Sequence, residues 1–244
     1  VRGVYYWAEQ PNFGDALALP LLEHFSQADW CYQAPEDAEV VVTGSILEHL
    51  PSNWEGIVAG AGKLHEGSSV SLKQARILGV RGMLTREALG ARNAVLGDPG
   101  LLASELVPVD RETVEWAVIP HWSDQDLFPR ELANAQRYGY AEPLLIDPTN
   151  DPLEVVRTIG ACKKIVSSSL HGLVVAASFG IPCRAEPFPL MDSIHEGGMF
   201  KHLDHASAIG QKFEFGVLQT ANRQNVERCQ AEIFDMLKSI SDVL

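Results

Sequence analysis

The chain has 244 residues, enough to bury a sizeable core as one large α/β domain or two small ones. With 46% apolar and 21% charged residues it has the composition of an ordinary globular protein, and no apolar run approaches the ~20 residues of a membrane span. A formal net charge of −13 opposes non-specific binding to nucleic acid, so an anionic ligand would need the 19 Lys and Arg gathered around it.

In chain order the pattern alternates strand and helix, which predicts a mainly parallel sheet covered on both faces. Gly3 to Trp7 reads as a strand. The turn at Pro11-Asn12-Phe13-Gly14-Asp15 follows, with Asp15 expected to cap a helix carrying Leu17, Leu21, Leu22 and Phe25. Further strands are predicted at Ala38–Thr43, ending in Gly44-Ser45, and at Gly56–Ala59, ending in Gly60-Ala61-Gly62. Ala75–Val80 ends in Arg81-Gly82, with Thr85 as cap of a short helix through Leu89, and Ala94–Leu96 ends in Gly97-Asp98-Pro99-Gly100. Every strand ends in small or polar residues, as it would if that edge of the sheet admitted a ligand.

A second half begins after Val107-Pro108-Val109-Asp110. Val114–Ile119 reads as a strand ending in Pro120-His121-Trp122, Leu144–Asp147 as another, and Pro152–Cys162 as a helix. After Gly216 an amphipathic helix carries Val226, Ile233, Leu237 and Ile240 on one side and is expected to brace one of the halves. The expected division is 1–108, 109–222 and 223–244: two halves and a C-terminal helix, with the ligand cleft between the halves. Neither a repeat nor a low-complexity linker interrupts them. Cys31, Cys162, Cys183 and Cys229 form no CxxC, and no lysine-led apolar leader is visible, which predicts reduced thiols in a cytoplasmic protein.

The most informative stretch is VSSSLHGLVVAASFGIPC, residues 166–183. Lys164-Ile165-Val166 ends a strand, Ser167 to Ser169 turn, and Leu170–Phe179 form a helix closed by Gly180, with Pro182 beyond. His171 then falls in the first helical turn at the carboxyl end of a strand, where unpaired N–H groups and the helix dipole favour an anion. The dipole contributes only ~0.3–1 kcal/mol when exposed and ~2 when partly buried, so a held anion also needs Arg or Lys.

Strand-end positions supply the candidates Asp15, Ser45, Arg81, Asp98, His121 and His171, with Arg86 following Arg81 and Lys201 beyond a loop at Glu186 to Gly198. Each has a plainer reading. Asp15 is a helix cap, Asp98 a turn former, Arg86 a surface ion-pair residue and His121 a satisfied half-buried histidine. Arg81 is the better ligand cation because it ends a buried strand before a glycine. His195, Glu196, His202, Asp204 and His205 are rich in metal-ligand types but match no two-histidine metal motif, and a polar loop and helix face explain them. Ser167, Ser168 and Ser169 invite a hydrolase reading, but the G-x-S-x-G elbow is missing. Gly60-Ala61-Gly62 is too short for a dinucleotide site.

Several blocks resemble one family. They are NFGDALALPLL at 12–22, GSIL at 44–47, GAG at 60–62, VRGMLTREAL at 80–89, GDPGLL at 97–102, IPHWSD at 119–124, SSSLHGLVVAASFGIP at 167–182 and FKHLDHASAIG at 200–210. In this order they are similar to the polysaccharide pyruvyl transferases, especially the bacterial exopolysaccharide type. The resemblance implies two Rossmann-like halves of the B-type glycosyltransferase kind. It also implies transfer of a pyruvyl group from phosphoenolpyruvate onto two hydroxyls of a sugar or lipid-linked oligosaccharide as a cyclic ketal. Phosphoenolpyruvate is then a donor substrate, and no metal or cofactor is required. An acceptor on a lipid would bring the protein to the inner face of the membrane.

A donor with a phosphate and a carboxylate needs fixed cations, for which Arg81 and Lys201 are first choices and Arg86 the reserve. His171 is expected as general acid toward the methylene carbon, its imidazolium stabilised by bound phosphate. Ser169 and Leu170 touch the donor by the same resemblance, Ser45 and Asp98 line the substrate site, and His121 or Asp15 takes a proton from an acceptor hydroxyl. The chain departs from the resemblance at Ala59, where an aromatic is usual, and at Arg184, where an apolar residue is usual; both bear on the expected acceptor pocket. The alternative is a B-type, sialyltransferase-like glycosyltransferase using a nucleotide sugar. Base-stacking aromatics near the second-half strand ends would favour it, and an Arg and Lys cage without them would favour phosphoenolpyruvate.

Overall fold

The computed structural model describes residues 1–108, 113–127, 143–186 and 198–244. The predicted boundary at Val109-Asp110, the loop beyond Glu186, and His195 and Glu196 lie outside the described residues.

Two sheets organise the chain. The first contains β1 (Arg2–Val4), β2 (Trp30–Tyr32), β3 (Val40–Val41), β4 (Ile57–Ala59), β5 (Arg76–Val80) and β6 (Val95–Leu96), all parallel, in the spatial order β2-β1-β3-β4-β5-β6. The second contains β7 (Ala117–Ile119), β8 (Leu144–Leu145), β9 (Ile165–Ser167), β10 (Cys183–Ala185) and β11 (Leu218–Gln219) in the order β8-β7-β9-β10-β11. Only the β10–β11 pair in it is antiparallel. The expected α/β alternation is therefore present as two parallel-rich sheets. The two sheets also share a winding: each begins on an inner strand, steps to one edge, then crosses back to the other side.

The strands read as continuous apolar runs because both faces are covered. Successive side chains point to opposite sides, so Val40, Val42, Ile57 and Ala59 enter one core cluster while Val41 and Val58 enter another. Ala117, Ile119 and Ile165 join the first cluster, which takes residues from both sheets. The link is α5 (Leu170–Phe179), which packs against the 3₁₀ helix Pro99–Glu105 that follows β6. Val174, Val175 and Ala176 of α5 and Leu101 and Leu102 of the 3₁₀ turn are fully buried.

Helix α7 (Arg223–Val243) lies against the first sheet, burying Cys229, Ile233, Met236, Leu237 and Ile240. A Cβ on Gly79 would stand 2.4 Å from Met236 Sδ, and one on Gly97 would stand 2.6 Å from Ile233 Cδ1, so these glycines let the helix close on β5 and the turn after β6. The remaining helices are α1 (Phe13–Ala16), α2 (Ala18–Phe25), α3 (Met83–Leu89), α4 (Pro152–Gly160) and α6 (Phe200–Ala208). Among the described residues no helix is long and apolar enough to cross a membrane. All four cysteines carry free thiols.

Two predicted caps are corrected. The helix carrying Leu21, Leu22 and Phe25 is α2, whose N-cap is Leu17 with no side-chain capping bond; Asp15 sits inside the preceding turn α1, which Asn12 caps by accepting from Gly14 N at 3.2 Å. Thr85 likewise lies within α3, whose N-cap is Gly82. The carboxylate that accepts from Thr85 N, at 2.9 Å, belongs to Asp204 of α6. At α3 a side-chain acceptor thus sits at the helix start but comes from a distant residue, whereas α2 continues directly from α1 and has none.

Candidate functional site

At the point where strand order reverses, the loops leaving two neighbouring strands diverge and open a crevice at their carboxyl ends. In the first sheet that point lies between β1 and β3, in the second between β7 and β9. A single pocket of about 430 Å³ is lined from all four loops. Trp7, Asn12 and Asp15 follow β1, Ser45 and Ile46 follow β3, His121 and Trp122 follow β7, and Ser169, Leu170 and His171 follow β9; Lys201 enters from α6. Another hollow of about 560 Å³, bounded by Glu36, Glu39, Glu55 and Leu244, is acidic and holds none of the strand-end candidates.

His171 occupies the first turn of α5, as its sequence predicts. The run Ile165-Val166-Ser167 is buried on both faces as β9, and Gly180, at φ 71°, ends the helix in the left-handed conformation that glycine adopts freely. The serines between them fasten the turn. Ser167 Oγ donates to Ile119 O at 2.7 Å and accepts from Ser169 N at 3.0 Å, and Ser168 Oγ accepts from His121 N at 2.8 Å. These bonds tie β9 to β7 and account for Ser167 and Ser168 without any nucleophilic role. Ser169 is the N-cap of α5, yet its side chain makes no capping bond, so the helix presents uncapped N–H groups beside the pocket.

The imidazole is wedged. A Cβ on Gly14 would stand 2.1 Å from His171 Nδ1, so α1 approaches the ring as closely as a glycine permits. Burial, with smaller contributions from the Arg81 and Lys201 cations, lowers the His171 pKa to about 4, against the pull of Asp15. His171 is therefore neutral near pH 7 in the structure as it stands. Burial raises the pKa of Asp15, opposed by His171 and Lys201. Its carboxylate accepts from Asn12 Nδ2, and a Cβ on Gly44, at φ 91°, would stand 2.2 Å from Asp15 Oδ1.

Arg81 and Arg86 are not among the residues lining the pocket. Arg81 is wholly buried behind its wall, where Nε donates to Asp204 Oδ2 at 3.0 Å, Nη1 to Ser45 Oγ at 2.5 Å and Nη2 to the Lys63 carbonyl at 2.6 Å. It thus holds Ser45 at the pocket and anchors α6, the helix that carries Lys201, while its charge still reaches His171. Arg86 is half-buried on α3. Asp98 is also wholly buried, shaping the turn after β6 by accepting from Gly100 N at 2.9 Å. Among the described residues Lys201, 6% exposed, is the Lys or Arg that lines the pocket.

Burial divides the pocket. Asp15, Ser169, Leu170, His171 and Lys201 form a buried floor, whereas Trp7, Glu9, His121 and Trp122 form a more open rim. The Trp7 and Trp122 rings pack at 4.7 Å between centroids, and His121 lies 5.3 Å from Trp122. Sequence reasoning did not single out Trp7, Trp122 or the structural role of Asp204; Trp122 stood beside a strand-end histidine, and Asp204 was grouped only with metal-ligand types. Ala59 and Arg184 do not line the pocket. Among the described residues no group of three or more His, Cys, Asp and Glu is placed to share a metal ion.

Two parallel-rich sheets, with a pocket lined by loops at both reversal points, define a doubly wound α/β protein. The chain belongs to the polysaccharide pyruvyl transferase family: residues 68–185 match its model. The succinoglycan biosynthesis protein ExoV of Rhizobium meliloti (strain 1021) is 30% identical over 223 residues, 84% of this chain and 64% of that protein. An uncharacterized protein, L143, of Acanthamoeba polyphaga mimivirus is 29% identical over 193 residues, 73% of this chain and 65% of that protein. The chain thus spans just under two thirds of the length of these curated relatives. No solved structure matches it.

Proposed function

We propose that this protein transfers a pyruvyl group from phosphoenolpyruvate to a sugar of an exopolysaccharide precursor, forming a cyclic ketal and releasing phosphate. The observation that carries this reading is the uncapped start of α5 at the pocket floor, with His171 in its first turn and Lys201 beside it. Backbone N–H groups, a dipole end and a buried ammonium together suit a donor bearing a phosphate and a carboxylate. The family and the succinoglycan relative supply the group transferred and the kind of product.

The reaction balances within the pocket. The methylene carbon gains a proton, C2 becomes oxocarbenium-like, two sugar hydroxyl oxygens bond to C2, and its bond to the phosphate oxygen breaks. Of the two hydroxyl protons, one replaces that given to the methyl group and the other leaves with phosphate. In this reading His171 delivers the proton to carbon, and Asp15 or His121 receives one from a hydroxyl. Arg81 acts from behind the wall through Ser45 and its charge. The Trp7 and Trp122 rim suits the apolar face of an acceptor sugar, which in this reading sits above the donor. A cytoplasmic protein working at the inner face of the membrane fits a lipid-linked acceptor.

A second reading, a B-type glycosyltransferase using a nucleotide sugar, is favoured by Trp122, an aromatic at a second-half strand end that lines the pocket. Calorimetric titration with phosphoenolpyruvate, and with CMP and UDP as competitors, separates the two. Saturable binding of phosphoenolpyruvate that neither nucleotide displaces is expected, as is loss of turnover in His171→Ala. Binding of a nucleotide alone would overturn the pyruvyl transfer reading.

A further inference from the structure

The wall behind His171 holds an unexplained set of polar atoms. Asp98 is 0% exposed; its Oδ1 is used by Gly100 N, but its Oδ2 has no hydrogen-bond partner among the described residues. His171 Nε2, also buried, has none either, and the two atoms face each other at 3.7 Å. His205 Nδ1, on α6, is a third buried atom without a partner, and His205 and Asp98 each lie in the other's field. Burying polar groups unpaired in this way costs stability, so a protein retains them where another state uses them.

We propose that Asp98 is the positioning residue of this site: it accepts the Nε2 proton of His171 when the anionic donor is seated, so that donor binding and protonation of the imidazole are coupled. This rests on the donor reading given above. The 3.7 Å gap exceeds a hydrogen bond and closes with a shift of less than an ångström. With Nε2 held by Asp98, Nδ1, the nitrogen beside Gly14, is left to pass its proton to the methylene carbon.

Burial keeps the His171 ring neutral, and the surrounding charges modulate it. Arg81, at the end of β5, and Lys201, on α6, oppose a charge on His171, whereas Asp15, on α1, favours one. Burial and the neighbouring Asp204 raise the pKa of Asp98, while His205, the Gly100 N–H and Arg81 favour its carboxylate. A donor carrying a phosphate and a carboxylate neutralises the cations and adds its own attraction, which moves the balance toward imidazolium. The proton comes from solvent on binding, and its charge is shared between the donor and Asp98. Burial keeps the ring neutral, and the acid forms when there is something to protonate.

The test is a ¹⁵N spectrum of the histidine rings of the full chain at pH 7, free and saturated with phosphoenolpyruvate, with His171→Gln to assign the signals. Wild type is expected to show a neutral His171 ring when free and both ring nitrogens protonated when bound. Asp98→Asn keeps an oxygen for Gly100 N, so it is expected to bind the donor yet leave His171 neutral, with a pH–rate profile displaced to lower pH. A neutral ring in the wild-type complex, or an imidazolium formed equally in Asp98→Asn, would overturn the proposal. If Asp98→Asn does not fold, the wild-type spectrum alone decides whether binding charges the ring. Absence of any donor-induced change would instead overturn the donor reading, and inorganic phosphate in the same tube would then show whether an anion charges His171.

Discussion

Gly14 gives the sharpest residue-scale constraint on the site. Its missing side chain is the space in which His171 stands, so Gly14→Ala must displace either the ring or α1. Overpacking of this kind costs about 1–3 kcal/mol, which a domain of this size tolerates, whereas a shift of ~1 Å in a reacting group lowers a rate about 10²-fold. Gly14→Ala is therefore expected to remain folded, with its melting temperature only modestly lowered, while turnover falls about a hundredfold. Wild-type turnover in this variant would mean that the position of His171 is not critical. The same neighbourhood shows why Asp15 was misread. Asn12 and Asp15 both precede an apolar helix and both carry a capping oxygen. The turn geometry, which spacing does not encode, gives the cap to Asn12 and leaves Asp15 in the pocket wall.

Elements were legible in proportion to how local their causes are. The strand, turn and helix around His171 follow from a β-branched run, three serines and a glycine stop within a few positions, and they appear where expected. Strand β2 was missed because Trp30-Cys31-Tyr32 is too short to show a period, and α6 was read only as a helix face without bounds because Phe200–Ala208 mixes charged, aromatic and small residues. What fixes α6 is distant: Asp204 reaches Arg81 across 123 positions of sequence, bonds Thr85 through both its N–H and its hydroxyl, and has Ser207 beside it bonding Met83 N. Both partners of the ion pair are 0% exposed. Removing one partner of a buried pair costs about 3–5 kcal/mol, because the other charge is left behind. Arg81→Met is expected to lose that much in urea denaturation, and Arg81→Met/Asp204→Asn to recover part of it. A single variant within ~1 kcal/mol of wild type would show that α6 is held by packing alone. Sheet order, and with it the two reversal points, was invisible for the same reason: pairing is set by contacts between strands far apart in sequence.

At the scale of the whole molecule the buried titratable groups tie stability to pH. His171 and His205 have pKa values lowered to about 4, chiefly by burial, while burial raises those of Asp15 and Asp98. A buried neutral histidine stays unprotonated in the fold, whereas in the unfolded chain it takes up a proton below about 6.5. The unfolded state then binds more protons, and the fold loses stability as pH falls from about 6.5 toward 4. The two carboxylates act in the opposite sense, because their neutral forms suit the interior and the fold gains as they protonate. His205→Gln isolates one of these effects, since glutamine cannot take the proton and the other groups are common to both proteins. Comparing urea denaturation at pH 7 and pH 5, the stability of His205→Gln relative to wild type is expected to rise by roughly 1–2 kcal/mol at the lower pH. A difference that does not change with pH would mean that His205 protonates as readily in the folded protein as in the open chain. The wall behind His171 would then already carry positive charge, and it would disfavour the imidazolium that the proposed chemistry needs.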